Sequence, residues 1–389
     1  MRALGLLKEI SKTYEVTLVI LTRQPLTTEQ TEFLGSLASQ VISVRLRDVS
    51  FRDKIRAALL MKRYYYPYHS AILEISLQDH PEVRQMIYQF PGVVFTGLGH
   101  WGHLIRFEPA PNWILNQCDA DVEFWRVYAS QTSSHLTRYA ALINWKLSRA
   151  HFPQIYRNAG QIISVCEEDR LLTLELAPHA TVHVIENGVD CSYYTPEKTL
   201  RYGSPRLLFT GTSAARNMTA LHRFVRNILP LIREEIPDIE LLVAGNFSQK
   251  AQTEFIDIDV VKFTGRVDDI RPYFNQADVY VAPFEETHGS KLKIAEAMAM
   301  AMPIVSTRQG IRGFSLVDGE SVLIADSPEQ FAANVLLLLR NPELRMDIGT
   351  KARQVALKTI DWPILGQRLR AIVESVCIKT CKHRRREDD

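Results

Sequence analysis

From Leu207 to Ile324 the chain repeats one pattern. Short apolar runs, Leu207–Thr210, Leu241–Ala244, Val261–Thr264, Val279–Ala282, Ile304–Ser306 and Val322–Ile324, are separated mostly by stretches with apolar residues at helical spacing, such as Leu221–Arg233. Strands alternating with helices dictate an α/β domain with a parallel, doubly wound sheet. Ligands of such sheets lie at the carboxyl ends of the strands. Gly211 and Gly265 each follow a Phe-Thr strand end, and the first is followed by Thr212, Ser213 and the cation Arg216.

The densest signal is Phe284–Thr307, FEETHGSKLKIAEAMAMAMPIVST. Gly289 breaks the apolar run before it, and Ser290 can cap a helix whose apolar positions include Leu292, Ile294, Ala295 and Met298. Pro303 stops that helix before the next strand. Free amides and the positive dipole end favour an anion at the helix start. Lys291 and Lys293 occupy the first turn, where the dipole disfavours cations, so either a negative group lies nearby or both are solvated. Glu296, one turn on, can accept hydrogen bonds from a sugar diol or face solvent. The methionines 298, 300 and 302 read as packing.

The first half is less regular. RALGLLKEIS reads as a helix, and strands are expected at Val16–Leu21, Val41–Val44, Val93–Gly97, Trp113–Gln117, Gln161–Val165 and Val182–Ile185. A doubly wound domain opening on a helix is unusual, and a first strand with its Gly-rich turn is expected to be missing from this chain. Arg52–Tyr68 alternates basic groups with Leu59, Leu60 and Met61 and ends in tyrosines. Such a helix can lie on anionic lipid, or it can be an ordinary surface helix with its tyrosines turned inward. His100 and His103 flank Trp101-Gly102 after a strand end. One can donate to a sugar hydroxyl and the other can be structural, and a third metal ligand is absent from the local sequence. Asp119, Asp121 and Glu123 follow the next strand directly, as polyol ligands or as helix caps.

Asn187-Gly188 is a turn, and the polar stretch after it, with Pro196, Gly203 and Pro205, suggests a linker. The expected organisation is a domain over 1–190, a linker over 191–205, a second domain over 206–375 and a disordered basic and acidic tail over 376–389. With 389 residues the chain has room for two domains, and a net charge of +2 gives no reason to expect nucleic acid. The five cysteines show no zinc spacing, which fits a reduced, cytoplasmic setting, and no apolar run is long enough to span a bilayer.

With these residues in view, the sequence resembles retaining glycosyltransferases of family 4, which have two facing Rossmann-like domains (the GT-B fold). The resemblance rests on ENGVD with Tyr194 and Pro196, on LLFTGTSAARNMTAL, on VKFTGRVDDIRPYFNQADVYVAP and on HGSKLKIAEAMAMAMPIVST. It covers most of the chain and is strongest from Asn187 to Trp362. DADVEFWRVYA is similar to a segment of bacterial sugar transferases of exopolysaccharide synthesis. The resemblance implies that Glu296 is the second acid of a Glu, seven residues, Glu pattern and holds the donor ribose. The first acid falls at His288, a departure that Glu285 or Glu286 could offset. Lys291 and Arg216 match diphosphate contacts, with amides supplied by Gly289 and Ser290. Arg266 and Val267 match the loop beside the base, and Gly211 with Thr212 lies at the neighbouring strand end. Asp119, Asp121 and the His100/His103 loop fall where the first domain meets donor sugar and acceptor.

The implied activity is metal-independent, cofactor-free transfer, with retention, from a nucleotide-diphosphate sugar to a hydroxyl of a glycan or lipid-linked glycan. The expected location is cytoplasmic, with a membrane-surface contact through Arg52–Tyr68. Two alternatives stay open: a non-catalytic nucleotide-sugar-binding or scaffold protein, favoured by His288 and the missing strand, and another nucleotide-sugar enzyme such as an epimerase.

Overall fold

The computed structural model describes every residue except 1, 65, 97–98, 118–120, 133, 198–202, 286–290 and 388–389; the side chains of 99–101, 121, 131 and 378–387 are also outside the description. The chain forms two compact units, Met1–Ile185 with Gly366–Asp389, and Glu186–Leu365.

In the first unit α1 (Arg2–Ile10) leads to β1 (Thr17–Thr22), α2 (Thr28–Gly35) and β2 (Gln40–Arg45). A reciprocal capping box opens α2: the Thr27 hydroxyl accepts from the Gln30 amide, and the Gln30 side chain accepts from the Thr27 amide. Three helices follow, α3 (Phe51–Tyr64), α4 (Tyr68–Gln78) and α5 (Pro81–Gln89). Then come β3 (Val94–Phe95), a 3₁₀ turn over Gly99–Ile105, β4 (Ala110–Asn116), α6 (Asp121–Gln131), α7 (His135–Asn158), β5 (Ala159–Ser164), α8 (Glu167–Leu176) and β6 (Val182–Val184). The last four strands pair in parallel in the order β3-β4-β5-β6, around a core that includes Trp113, Leu115, Phe152 and Ile162. β1 and β2 pair in parallel as a ladder of their own, and among the described residues no strand joins the two sheets.

The second unit carries β7 (Arg206–Thr210), α9 (Ala215–Arg223), α10 (Leu229–Glu235), β8 (Glu240–Ala244), α11 (Gln249–Thr253), β9 (Val261–Gly265), α12 (Arg271–Asn275) and β10 (Val279–Ala282). It continues with α13 (Leu292–Ala299), β11 (Ile304–Ser306), β12 (Leu323–Ile324), α14 (Pro328–Arg340) and α15 (Pro342–Thr359), and α16 (Trp362–Glu387) follows. Its six strands are parallel, in the order β12-β11-β10-β7-β8-β9. β10 is buried at every position, as the unbroken apolar run requires of a strand covered on both faces. The helix expected over Leu221–Arg233 is broken by a π turn at Phe224–Ile228. Pro230 has no amide to donate, and the wide turn keeps Phe224, Val225 and Ile228 in the core.

The unit boundaries differ from the expected 190/191 and 375/376. Residues from Glu186 onward are bonded into the second unit: Val189 bridges Asp361, and the Asp361 carboxylate accepts from the Cys191 amide at 3.1 Å. Gly188 permits the approach, since a Cβ there would lie 2.6 Å from the Trp362 ring. The chain returns to the first unit at Gly366, which packs on Glu9, and Arg370 donates to the Glu9 carbonyl. The stretch expected as a disordered tail falls on α16, which runs to Glu387 and buries Leu369, Ile372, Val373 and Val376.

Candidate functional site

The order of the six-stranded sheet fixes where a ligand can sit. From β7 the chain builds outward through β8 and β9, then returns to the other side of β7 for β10, β11 and β12. The carboxyl ends of β7 and β10 therefore flank the switch point, where loops diverge and leave a crevice. Gly211 follows β7, and the loops after β7 and β8 touch: the Gly211 amide donates to the Ala244 carbonyl at 2.9 Å. Gly245 has φ +125°, and a Cβ there would lie 2.1 Å from the Gly211 oxygen.

α13 starts beside this strand end. Its N-cap residue is Lys291, whose side chain caps nothing. Lys291 is buried, donates to the Gln309 carbonyl at 3.3 Å and lies over the Phe284 ring. Lys293 is the cation that reaches β7: its ammonium donates to the Thr210 carbonyl and to Asn217 Oδ1, both at 2.8 Å. A Cβ on Gly211 would lie 3.3 Å from Lys293 Nζ, so the glycine leaves that head uncrowded. Asn217, on the first turn of α9, also donates to the carbonyl and hydroxyl of Thr212. Burial pushes the Lys293 pKa down to about 7; the nearby charge of exposed Arg216 acts in the same direction, and Glu296 opposes it.

Glu296 lies one turn beyond Lys293, and its carboxylate accepts from the Tyr194 hydroxyl at 3.2 Å. Burial raises the carboxyl above its usual range, while the Tyr194 hydrogen bond and Lys293 pull the other way. Burial and the facing carboxylate push the Tyr194 phenol well above its ordinary value. Arg353 holds this tyrosine in place. Its guanidinium donates to the carbonyls of Tyr194 (2.7 Å), Cys191 (3.1 Å) and Ala299, the last residue of α13.

Gly211, Thr212, Arg216 and Glu296 are thus brought together, with Lys293, Asn217 and Tyr194 added. Two lysines share one turn in the sequence and either could face an anion; a packed Asn and a Tyr in a turn carry no such signal. Arg266 and Val267 follow β9, the edge strand on the far side of β8. His288, Gly289 and Ser290 lie outside the described residues. Glu285, one possible stand-in for the first acid, is exposed and paired with Arg223 Nε at 2.9 Å.

In the first unit, His103 does not reach the surface. It is buried, with Nε2 at 3.0 Å from the Glu74 carboxylate and Nδ1 at 3.4 Å from His151 Nε2, and the edge of Tyr66 meets its ring. The assignment of His103 to the acceptor side is corrected, and it takes the structural part: the 3₁₀ turn carries it inward to meet Glu74 of α4 and His151 of α7. His100 lies in that turn and Asp121 opens α6, their side chains outside the description, and Asp119 is outside it altogether. Glu123 is held by Arg126, by Trp145 Nε1 at 3.1 Å and by Arg149 at 3.3 Å. Among the described residues no three His, Cys, Asp or Glu side chains converge as a metal site.

Two Rossmann-like units, with a polar cluster at the switch point of the second, define the GT-B class. Residues 204–341 match the family of glycosyl transferases group 1, so the second unit carries a domain of that family. Among curated proteins the chain is similar to the Bacillus subtilis protein named as glycosyltransferase YtcC, at 25% identity over 264 residues, 59% of this chain and 64% of that one. It is also similar to the phosphatidyl-myo-inositol mannosyltransferase of Mycobacterium leprae, at 27% over 218 residues, 51% of this chain and 54% of that one. The chain therefore spans between half and two thirds of the length of these relatives. Its fold is like that of sucrose-phosphate synthase from Thermosynechococcus elongatus (TM-score 0.68, 16% identity, 96% of this chain and 92% of that one). Anabaena Alr3699/HepE, solved with UDP and glucose, is also similar (TM-score 0.65, 13% identity, 96% of each chain).

Proposed function

We propose that this chain is a retaining glycosyltransferase that moves a sugar from a nucleotide-diphosphate sugar to a hydroxyl of a glycan or lipid-linked glycan, without a metal. One observation carries the reading: Lys293, Glu296 and Gly211 meet at the switch point of a group 1 domain. The curated relatives include mannosyltransferases named for phosphatidyl-myo-inositol, and a solved neighbour holds UDP and glucose.

In this reading Glu296 accepts from the ribose hydroxyls, and Tyr194 fixes its orientation. Lys293 and Arg216 face the diphosphate and stabilise the charge that develops as it departs. The bond between the anomeric carbon and the phosphate oxygen breaks while the acceptor oxygen bonds to the same face. The departing phosphate oxygen takes the acceptor proton, so no protein base is needed. His100, Asp119 and Asp121 are assigned to the acceptor side, Arg266 and Val267 to the base, and His288, Gly289 and Ser290 to the diphosphate and donor sugar. Lys291, which also donates to the Gln309 carbonyl, is assigned to the diphosphate with Gly289 and Ser290. A membrane-surface contact through Arg52–Tyr68 would present a lipid-linked acceptor, and the protein acts in the cytoplasm.

The test is a thermal-shift screen of nucleotide sugars followed by transfer assays on the donor that binds. A donor that binds only the folded state raises the melting temperature by mass action. Glu296→Ala should remove both the shift and transfer. Donor-dependent transfer that survives this substitution would sink the assignment of the pocket. Binding without transfer or donor hydrolysis, over a broad acceptor panel, would replace it with a nucleotide-sugar-binding protein.

A further inference from the structure

Two buried imidazoles of the first unit take no part in the transfer derived above. His103, in the 3₁₀ turn, and His151, on α7, stack with ring centroids 5.3 Å apart, and His103 Nδ1 lies 3.4 Å from His151 Nε2. His103 Nε2 faces the Glu74 carboxylate of α4 at 3.0 Å. A ring nitrogen that faces a carboxylate carries the proton, so Nε2 donates to Glu74 and Nδ1 accepts from His151 Nε2–H. His151 Nδ1 is left as a buried acceptor with no partner among the described residues. One chain of hydrogen bonds thus joins α4, the turn and α7, and it holds while His151 is neutral.

The turn also packs on α7 without charge. A Cβ on Gly102 would lie 2.5 Å from the Ile155 side chain, and Asn158 Nδ2 donates to the Ile105 and Arg106 carbonyls at 2.7 and 2.8 Å. Tyr66 closes the histidine pair edge-on, at 4.4 Å from the His103 centroid and 5.5 Å from that of His151. Three charged groups surround the pair. They are Glu74, Arg84 of α5, which pairs with Glu74 at 3.1 Å, and Arg106, whose guanidinium lies over the Tyr66 ring at 5.1 Å. The Tyr88 phenol of α5 bonds the Leu104 carbonyl, and Glu108 acts on that phenol. Glu74 is therefore occupied by Arg84 and His103. Burial above all, and then the charges of His103 and Arg106, push the His151 pKa down to about 2.

We propose that Glu74, His103 and His151 form an acid-released clasp: a proton on the histidine pair breaks the link between the 3₁₀ turn and α7, and the amino-terminal part of the turn opens about the Asn158 anchor. The closed form holds His151 neutral, and the open form lets it take a proton at its ordinary value of 6.5. The clasp is thus fully closed above that value and loses up to about tenfold per unit as pH falls below it. Glu74 titrates elsewhere. Its pKa is lowered, first by the His103 hydrogen bond, so the stability it adds is lost only as pH falls below the ordinary carboxylate value of 4.5. The same turn carries His100, assigned above to the acceptor side. An effect on acceptor binding rests on that reading; the opening itself does not.

The test is amide hydrogen exchange on the full chain, read by mass spectrometry, for wild type and H151Q at the same pH. Glutamine keeps a donor toward His103 and cannot take a charge. Relative to H151Q, the wild-type turn over Gly99–Ile105 should exchange about tenfold faster at about pH 5.5 than at about pH 7.5. Amides of β5 and of the second unit should show no such change. His69, on which burial acts in the same direction, is present in both proteins and cancels. Should H151Q fail to fold, the wild type alone decides: its turn, measured against β5 and corrected for intrinsic exchange, must show the same gain. A ratio that stays constant with pH overturns the clasp. So does a rise shared by the whole first unit, which is global loosening. With donor saturating, an acceptor KM that rises at acid pH in wild type and not in H151Q supports both the clasp and the acceptor-side reading. An indifferent KM beside the expected exchange supports the clasp and removes the turn from the acceptor side.

Discussion

Lys291 and Lys293 stand two residues apart and have different surroundings. The first donates to a loop carbonyl; the second reaches the end of β7. Phe209 and Phe284 rings, Asn217 and the Thr210 carbonyl pack around the Lys293 ammonium, and its charged neighbours are Arg216 and Glu296. Its pKa of about 7 lies below the ordinary 10.5, so the free protein loses this charge as pH rises through 7. A bound diphosphate favours the protonated form. Affinity for a nucleotide sugar, whose own phosphates do not titrate there, should therefore be greatest below pH 7. Above it, affinity should fall by at most about tenfold per unit. Calorimetry in buffers of different ionisation enthalpy should detect proton uptake on binding, and Lys293→Met should abolish it together with most of the affinity. Stability takes the opposite sign: the unfolded chain holds this proton up to about pH 10.5, so this group makes the second unit more stable as pH rises from 7 toward that value. Tyr194→Phe removes the hydrogen bond to Glu296 and leaves the ring. We expect a donor KM several-fold higher with kcat little changed, and an effect absent for a 2′,3′-dideoxy donor. An equal loss for both donors would show that Tyr194 acts by packing alone.

α13 is an eight-residue element, and what surrounds it settles its position. Its start touches the end of β7 through Lys293, its middle touches Tyr194 through Glu296, and its last carbonyl is held by Arg353 from α15. One guanidinium thus fixes α13 and the 191–194 turn together. Arg353→Met should strand three carbonyls and lower the stability of the second unit by about 2–3 kcal/mol in a denaturant melt. Donor binding should weaken as well, because Tyr194 loses its anchor. A variant with normal stability and weak binding would show that Arg353 works on the pocket directly. The helix itself was legible from the spacing of Ile294, Ala295 and Met298 and from Pro303. Its partners were not. Arg353 lies 57 residues beyond Glu296 on another helix, and no local pattern links them. His103 teaches the converse. A histidine beside a strand end reads as a site, yet Glu74 and His151, distant in sequence, draw it into the core.

At the scale of the molecule, the chain passes between units twice, at Ile185/Glu186 and at Leu365/Gly366. The first unit is therefore built from both ends of the sequence, with Leu369, Ile372, Val373 and Val376 of α16 buried. Truncation after Leu365 exposes what these side chains cover, each worth about 1.5–3 kcal/mol. The melting transition of the first unit should drop or vanish while that of the second stays within a few degrees, as calorimetry would resolve. A truncated chain with both transitions intact would mean that residues 366–389 add nothing to the first unit. The sequence by itself determined the parallel doubly wound sheet, the strand ends at Gly211 and Gly265 and the helix that carries Glu296. Those features follow from period and glycine placement within a few residues, which local sterics and apolar burial dictate. Only the tertiary structure decided which lysine reaches the end of β7, which histidine is buried and where the units part. Each of those outcomes depends on contacts between segments far apart in the chain, and such contacts form only once both sheets are packed.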